Sequence, residues 1–538
     1  MRLPHAFEQS TWMRTMARRC TCIALSALAA APAAGATTWY VRTDGGNAEQ
    51  CSGFADAAYP GKGKHRACAW SGPMIALPPP AGYGQSATPR IQGGDTLVIG
   101  AGEYMVGFGA PGAEACNSGI AYACTMAPLP SGPSPQQPTR VLGAGFDSGC
   151  TRPPQLWGTQ RAYAVLDLTR SSHVELACLE ITDHSACVEN HCGGEGGCRG
   201  EVDRCERDRY PYGSWAENGL VASDSRDVHV RDVNIHGMGN DGVRAGRLTD
   251  WTVERFRIHG NGFAGWDGDI GNGDRSVDTG NHGALVFRNG EIGFNGCGER
   301  WPGGQPYGCW GQEEGGYGDG LGTGRTGGDW LFEDVHAHHN TQDGLDLLYL
   351  DENGSVTMRR VRAEGNAGNQ LKVAGHSMIE HATVEGDCAY FSDPSHMGAG
   401  NMRDSDACRA AGDAIATALR DGQTTTIRDS TISGQGGCLV TGSGGGVGAV
   451  LELRDNTLSG RPRWDDKGRQ TCGYFLYESK ARIVAEGNTL TDVRQASATV
   501  RAACDNGSED SVRGRACRAL ERIYDSIRGD AKKDAQHP

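Results

Sequence analysis

Residues 340–350 read NTQDGLDLLYL, and the core of this stretch, DGLDL, resembles several other segments in the middle of the chain. Six segments align: NDGVRA at 240–245, NGFAG at 261–265, HGALV at 282–286, DGLGT at 319–323, DGLDL at 343–347 and NQLKV at 369–373. Counted from Asp241, their starts are separated by 20, 21, 37, 24 and 26 residues. A unit of this length cannot bury its apolar face alone, so neighbouring units must stack on one another.

Between these segments lie second strands with alternating apolar and polar residues, such as VHVRDVNIHG, TVERFRIHG and VTMRRVRAEGN. Each ends at an Asn or Gly turn, and the chain contains 82 glycines, which is typical of short strands joined by tight turns. The pattern continues to about Val493. The sequence therefore predicts an all-β fold, a parallel β-solenoid, followed by a short C-terminal helix with apolar positions at Ala516, Leu520 and Ile523.

Composition restricts the classes of partner. The formal net charge is -14 and no basic stripe is present, so a nucleic-acid-binding surface is not expected. Residues 16–36, MARRCTCIALSALAAAPAAGA, have the layout of a secretory signal peptide that is cleaved after Ala36. Its apolar run is too short to span a bilayer, and no later segment is long enough. We expect a monomeric, secreted or periplasmic protein without a membrane span.

The cysteines indicate disulfides. Removing the signal peptide leaves 18 of the 20 cysteines, an even number in a chain bound for an oxidising compartment. Their spacing differs from the paired two-residue spacing of zinc sites. Near neighbours such as Cys297 with Cys309, and Cys388 with Cys408, are expected to staple loop insertions. The predicted organisation is a signal peptide (1–36), a Cys-, Pro- and Gly-rich entry segment with the first strands (37–199), the solenoid (200–500) and a C-terminal cap or tail (501–538).

Stacked coils place equivalent residues about 4.8 Å apart, so the alignment also predicts columns of side chains. The third column is expected to face the core and reads Val243, Phe263, Ala284, Leu321, Leu345, Leu371. The fourth column is expected to face outward and reads Arg244, Ala264, Leu285, Gly322, Asp346, Lys372.

The first and fourth columns bring charged groups together. Asp343 stacks on Asp319, Asp346 stands further along the same segment, and Lys372 lies one coil beyond Asp346. Three carboxylates within one coil spacing repel each other unless a cation lies among them, and oxygen ligands of this kind suit Ca²⁺. Such a cation would also lower the pKa of Lys372 and would acidify the carbon-bound proton next to a substrate carboxylate. Together these residues indicate proton abstraction with Lys372 as the base.

At these positions the segments DGLGT, QDGLDLL and GNQLKVAG resemble the calcium and base segments of polysaccharide lyase family 9, which includes pectate lyases. The resemblance implies a right-handed parallel β-helix that cleaves an acidic polysaccharide by Ca²⁺-assisted β-elimination. By position, Asp319, Asp343 and Asp346 would be calcium ligands and Lys372 the catalytic base. Gln342 stands where the family places an aspartate and would offer a neutral carbonyl oxygen to the metal.

Other interpretations of the same residues stay open. Asp-Gly is a common turn pair, and Asp346 opposite Lys372 could be a simple cross-strand ion pair. The protein would then be a non-catalytic glycan-binding or surface β-helix. A β-helix glycoside hydrolase would instead use paired carboxylates, such as Asp343 and Asp346, as acid and base.

Overall fold

The computed structural model describes residues 35–82, 85–187, 205, 209–270, 280–302, 306–309, 318–387, 389–392, 413–434, 439–444, 447–460, 476–478 and 481–491. The elements described below all belong to one compact unit that begins at Thr37. Three predictions lie outside the described residues. They are the signal peptide, apart from its last two residues, the C-terminal cap or tail, and the Cys388–Cys408 pair.

In the part of the chain that the structure describes, twenty parallel strands form one continuous ladder, which bends to give a first and a second face. Five long strands cross the bend and belong to both faces: β7 (Ser172–Asp183), β9 (Arg226–His236), β11 (Thr249–His259), β13 (His282–Gly293) and β17 (Asp329–His338). The other strands of the first face are β1 (Thr38–Gly46), β2 (Thr96–Ile99), β4 (Thr139–Gly143), β19 (Ser355–Arg359), β22 (His376–Glu380), β25 (Thr424–Arg428), β28 (Val450–Arg454) and β31 (Arg482–Glu486). Those of the second face are β3 (Glu103–Val106), β5 (Gln155–Gly158), β20 (Arg362–Glu364), β23 (Thr383–Gly386), β26 (Thr431–Gly434), β29 (Thr457–Gly460) and β32 (Thr489–Thr491).

Ten further strands of the described residues form the third face. They are β6 (Ala162–Asp167), β8 (Ala216–Ser223), β10 (Val243–Gly246), β12 (Trp266–Asp267), β16 (Leu321–Gly322), β18 (Leu345–Leu347), β21 (Leu371–Ala374), β24 (Ile415–Leu419), β27 (Val440–Gly444) and β30 (Leu476–Glu478). An antiparallel hairpin contains β14 (Cys297–Glu299) and β15 (Pro306–Cys309). The helical elements within the described ranges are α1 (Pro73–Ala76), a 3₁₀ segment (Ser118–Ala123) and α2 (Ala389–Ser392).

The chain visits the three faces in turn and then repeats the circuit, so each strand pairs in parallel with its equivalent in the next coil. Consecutive strands of one face are joined through the other two faces, a type of connection that is right-handed in nearly all folds. The protein is therefore a three-faced parallel β-helix, which confirms the predicted fold class. None of the helices in the described part is long and apolar enough to cross a bilayer.

The register corrects two rows of the sequence alignment. On the third face Val243 pairs with Trp266, Trp266 with Leu321, and Leu321 with Leu345. The core residue of the second coil is thus Trp266, not Phe263, and its outward neighbour is Asp267. The HGALV segment was also misassigned, because it begins β13 on another face. Insertions lengthen this part of the chain, so a near-constant period does not identify the residues that pair.

Apolar columns fill the interior of the helix. The core column of the third face, Leu321, Leu345 and Leu371, is fully buried. On the first face Phe287 pairs with Phe332 in the next coil, and their rings stack with centroids 5.2 Å apart. Such stacking combines burial of large apolar surfaces with a favourable ring arrangement. The alternating strand pattern therefore selects one side of every coil for the core.

A buried asparagine ladder supports the turn that leads from the second face to the third. Asn261 donates from Nδ2 to Asn295 Oδ1 at 2.9 Å, and Asn295 donates to Asn340 Oδ1 at 2.9 Å. Asn340 in turn donates to Asn366 Oδ1 at 2.8 Å. The same Oδ1 atoms also accept backbone N–H groups of the preceding coil, for example that of Asn295 on Asn340. Each side chain therefore satisfies turn groups that would otherwise be buried without partners.

Five disulfides are present among the described residues, and they link Cys51–Cys68, Cys116–Cys124, Cys150–Cys178, Cys187–Cys205 and Cys297–Cys309. The last one closes the β14–β15 hairpin, as predicted for an insertion staple. The predicted boundary near residue 199 falls outside the described residues. Strands β1–β7 all precede it and pair into the same ladders as later strands.

We expect Asn340→Ala to destabilise the β-helix by about 3 kcal/mol, because amide groups on both sides lose partners in a dry interior. Asn340 is 0% exposed, and its Nδ2 also donates to the carbonyl of Ile292. The measurement is the midpoint of urea unfolding. Asn353→Ala, in an exposed turn, is the matched control and should leave the midpoint unchanged. Equal midpoints for the two variants would contradict a supporting role for the ladder.

Candidate functional site

The charged residues singled out from the sequence meet on the third face. Gly322 pairs with Asp346, and Asp346 pairs with Lys372, so the three stand in one outward column. Asp319 and Asp343 each precede their strand by two residues and stack one coil apart. The predicted stacking of these four charged residues is thus present, with coil separations of 24 and 26 residues.

Lys372 lies between two carboxylates. Its Nζ is 2.6 Å from Asp343 Oδ2 and 2.7 Å from Asp346 Oδ2. The closest carboxylate oxygens of Asp319, Asp343 and Asp346 all lie within 4.8 Å of one another. The aspartates are buried, whereas 16% of the Lys372 side chain is exposed. The ammonium group therefore covers a buried cluster of three acids.

Two of these aspartates also support the backbone. Asp319 Oδ1 accepts the N–H of Asp343 at 2.9 Å, and Asp343 Oδ1 accepts the N–H of Asn369 at 2.6 Å. Asn369 continues the series by accepting the N–H of Asp413. The aspartates of the Asp-Gly pairs therefore do support turns, but the amide of Asn369 accepts the same kind of hydrogen bond. Turn support alone does not require a charge at Asp319 or Asp343.

The electrostatics of the cluster show a shortage of positive charge. Burial, followed by the nearby Asp343 and Asp346 carboxylates, raises the pKa of Asp319 well above its ordinary value. Burial also raises the pKa of Asp346, although Lys372 opposes that shift. One ammonium does not balance three carboxylates, so the cluster favours an added proton or an added cation.

The pKa of Lys372 shifts in the opposite direction to the one expected with a bound cation. Burial by itself lowers the pKa of Lys372, but Asp343, Asp346 and Asp319 together raise it above its usual value. The carboxylates therefore hold the lysine in its charged form. A divalent cation among the carboxylates would reduce this effect, because it would replace the ammonium as their counter-charge.

The site fits a hard cation in its donor chemistry and in the space around it. Its donors are carboxylate oxygens, the ligands that Ca²⁺ prefers. Glycines leave room beside them: a Cβ on Gly322 would lie 2.5 Å from Asp319 Oδ2, and one on Gly368 would lie 2.4 Å from Asp343 Oδ1. Gln342 is buried, and its Oε1 would lie 3.0 Å from the same Cβ on Gly368. A ligand role for Gln342 stays a prediction.

A second cluster was missed in the sequence. His236 ends β9, His259 ends β11, and Glu299 in the hairpin reaches both imidazoles. Burial lowers the pKa of His236, but its hydrogen bonds to Glu180 and Glu299 raise it to about 9. The repeated Ile-His-Gly at 235–237 and 258–260 could have indicated the two histidines. No periodic signal indicates Glu299, because it lies in an insertion.

No protein-family model matches this sequence, and no curated protein matches it. Similar solved structures include an alginate lyase from Paenibacillus sp. str. FPU-7, with 13% identity and a TM-score of 0.35 over 68% of this chain and 89% of that chain. The A-module of the Azotobacter vinelandii mannuronan C-5 epimerase AlgE6 is 11% identical with a TM-score of 0.36, over 74% and 90% of the two chains. Pectate lyase Pel9A is 12% identical with a TM-score of 0.31, over 86% and 78%. Similarities this distant do not assign an activity, so membership of family 9 stays a prediction.

We expect Asp319→Asn to weaken the dependence of thermal stability on pH and on calcium. A pKa raised in the folded state contributes stability at low pH, and this stability is lost as pH rises through the folded pKa. Without calcium, the wild-type melting temperature should therefore fall more than that of the variant as pH rises through the folded pKa of Asp319. Added Ca²⁺ should recover stability in the wild type only.

The measurement is a melting-temperature series against pH, with Ca²⁺ or with a chelator. Asp421→Asn, in an exposed loop, is the control and should behave like the wild type. A calcium response in Asp319→Asn as large as in the wild type would contradict this interpretation of the cluster.

Proposed function

We propose that this β-helix is a polysaccharide lyase that cleaves an acidic glycan by β-elimination on the third face. One observation carries the proposal: Lys372 Nζ, the partly exposed group of the cluster, lies within 2.7 Å of two buried carboxylates that also approach Asp319. This is the set of residues that resembles the lyase segments in the sequence. The similarity to solved structures adds nothing to this argument.

In the proposed reaction, Lys372 as a neutral amine accepts the proton from the carbon next to the sugar carboxylate. A carbon–carbon double bond forms as the glycosidic carbon–oxygen bond breaks, and water protonates the leaving oxygen. Asp319, Asp343 and Asp346 would hold Ca²⁺, which supplies a positive charge that binds the sugar carboxylate and acidifies the neighbouring proton. Gln342 would add a neutral oxygen to the same group.

The base must lose its proton before it can act. Because Asp343 and Asp346 raise the pKa of Lys372, the neutral amine is scarce at neutral pH unless a cation shares these carboxylates. We therefore expect the activity to rise with pH into the alkaline range and to require Ca²⁺. The described disulfides fit a protein that works in an oxidising compartment, in line with the proposed export to the periplasm or the medium.

Two other functions remain as outcomes of the test. The short Lys372 contacts also suit a permanent ion pair, which favours a non-catalytic glycan-binding protein. A hydrolase is the second alternative, because the three carboxylates are close enough to act in pairs and the raised pKa of Asp319 suits a general acid.

The decisive assay is the ultraviolet absorbance of unsaturated product from a panel of uronate-containing polysaccharides, with Ca²⁺ and with chelator. Lys372→Met should reduce the rate by about 10²–10⁴-fold, the usual contribution of a general base. Lys372→Arg is the sharper test, because it keeps a positive charge between the carboxylates but does not release a proton at accessible pH. We expect a similar loss of rate for both variants.

The results separate the three functions. Full activity in Lys372→Arg would show that the lysine is only a counter-charge and that the base lies elsewhere. New reducing ends without absorbance would indicate hydrolysis. Binding of a glycan without any product would favour the non-catalytic protein.

A further inference from the structure

The second cluster lies on the second face, outside the Asp319 site. His236 and His259 are paired between adjacent coils, and their rings stack with an interplanar angle of 3° and centroids 4.9 Å apart. Glu299 approaches both rings from the Cys297–Cys309 hairpin. All three residues are buried, with exposures of 8%, 3% and 6%. Three potential metal ligands, from two consecutive coils and the hairpin, thus meet in one buried position.

The carboxylate of Glu299 faces one nitrogen of each ring. Its Oε2 is 2.8 Å from His236 Nδ1, and its Oε1 is 2.7 Å from His259 Nδ1. The second contact thus joins an imidazole nitrogen to a buried carboxylate oxygen. Each carboxylate oxygen of Glu299 therefore lies in contact with one imidazole nitrogen.

A neighbouring carboxylate orients the first ring. Glu180 Oε1 lies 3.0 Å from His236 Nε2 and also accepts from Gln155 Nε2 at 3.0 Å. The Nε2 proton is shared with Glu180, so a metal at Nδ1 would replace only the proton that Nδ1 donates to Glu299 Oε2 at 2.8 Å. Histidines that bind metals are commonly held in this way, with the second ring nitrogen donating to a carboxylate.

We propose that His236 Nδ1, His259 Nδ1 and Glu299 bind a divalent transition metal of the Zn²⁺ type. Two imidazole nitrogens and one carboxylate form a donor set that Zn²⁺ takes in proteins. The ligand atoms all lie within 4.8 Å of one another, so small side-chain movements bring them around one ion. Two nitrogen donors make the site unsuitable for Ca²⁺, which sets it apart from the aspartate cluster.

The position of the site indicates its role. His236 and His259 belong to consecutive coils, whereas Glu299 belongs to the disulfide-closed hairpin that covers them. A metal bound here ties the hairpin to the body of the β-helix. The competing arrangement has protons in place of the metal, with Glu299 held only by ion pairs to the imidazoles.

The test uses Co²⁺ as a spectroscopic probe on full-length protein that has been treated with chelator and then freed of it. We expect one Co²⁺ per chain with visible d–d absorption, displaced by Zn²⁺ but not by excess Ca²⁺. Zn²⁺ should also raise the melting temperature. Glu180→Gln should weaken metal binding by about 10–100-fold, as is usual for a residue that orients a ligand.

His259→Ala and Glu299→Gln should weaken binding more than Glu180→Gln does. His229→Ala is the matched control, since His229 lies on the same strand as His236 with 41% of its side chain exposed. Absence of saturable Co²⁺ or Zn²⁺ binding by the wild type would overturn the proposal and leave the ion-pair arrangement. Binding that survives in folded Glu299→Gln, or that is lost in His229→Ala, would overturn it as well. Each of these results is independent of the lyase assay.

Discussion

In-register stacking of the coils is the constraint on which the rest of the structure depends. Each strand pairs in parallel with its equivalent one turn away, so a residue type repeated at one position becomes a column with a spacing of about 4.8 Å. Apolar columns give a continuous core, and asparagine columns satisfy the buried turns. A column of acids is different, because like charges at this spacing repel each other. The same stacking that stabilises the fold thus places carboxylates close enough to repel each other.

The aspartate cluster is the clearest case. Asn369 shows that an amide at this position supports the turn, so the carboxylates at Asp319 and Asp343 exceed what the fold needs. Asp343 helps to raise the pKa of Asp319, and both carboxylates raise the pKa of Lys372, which means that the cluster binds positive charge readily. In the second cluster, two imidazole groups lie against the buried Glu299 carboxylate. In both places buried carboxylates carry a cost that a bound cation or a proton would offset.

Much of this arrangement could be predicted from the sequence, and the failures have physical causes. The Asp-Gly-Leu repeat and the alternating strands identified the β-helix, because stacking requires equivalent residues to recur. The register of Asp319, Asp343, Asp346 and Lys372 was predicted correctly, since regular coils separate them. The predicted register was wrong where insertions break the period, and there the sequence did not identify Trp266 and Asp267. Glu299 could not be found, because its position depends on how a disulfide-closed hairpin folds back over other coils.

A crystal structure of the protein grown with Ca²⁺ would show directly whether the three buried carboxylates form a cation site covered by Lys372. We expect one Ca²⁺ bound by Asp319, Asp343 and Asp346, with Lys372 Nζ moved out from between Asp343 and Asp346. The contradictory result is an unchanged cluster at saturating Ca²⁺, with Lys372 still in contact with both carboxylates and no ion beside Asp319.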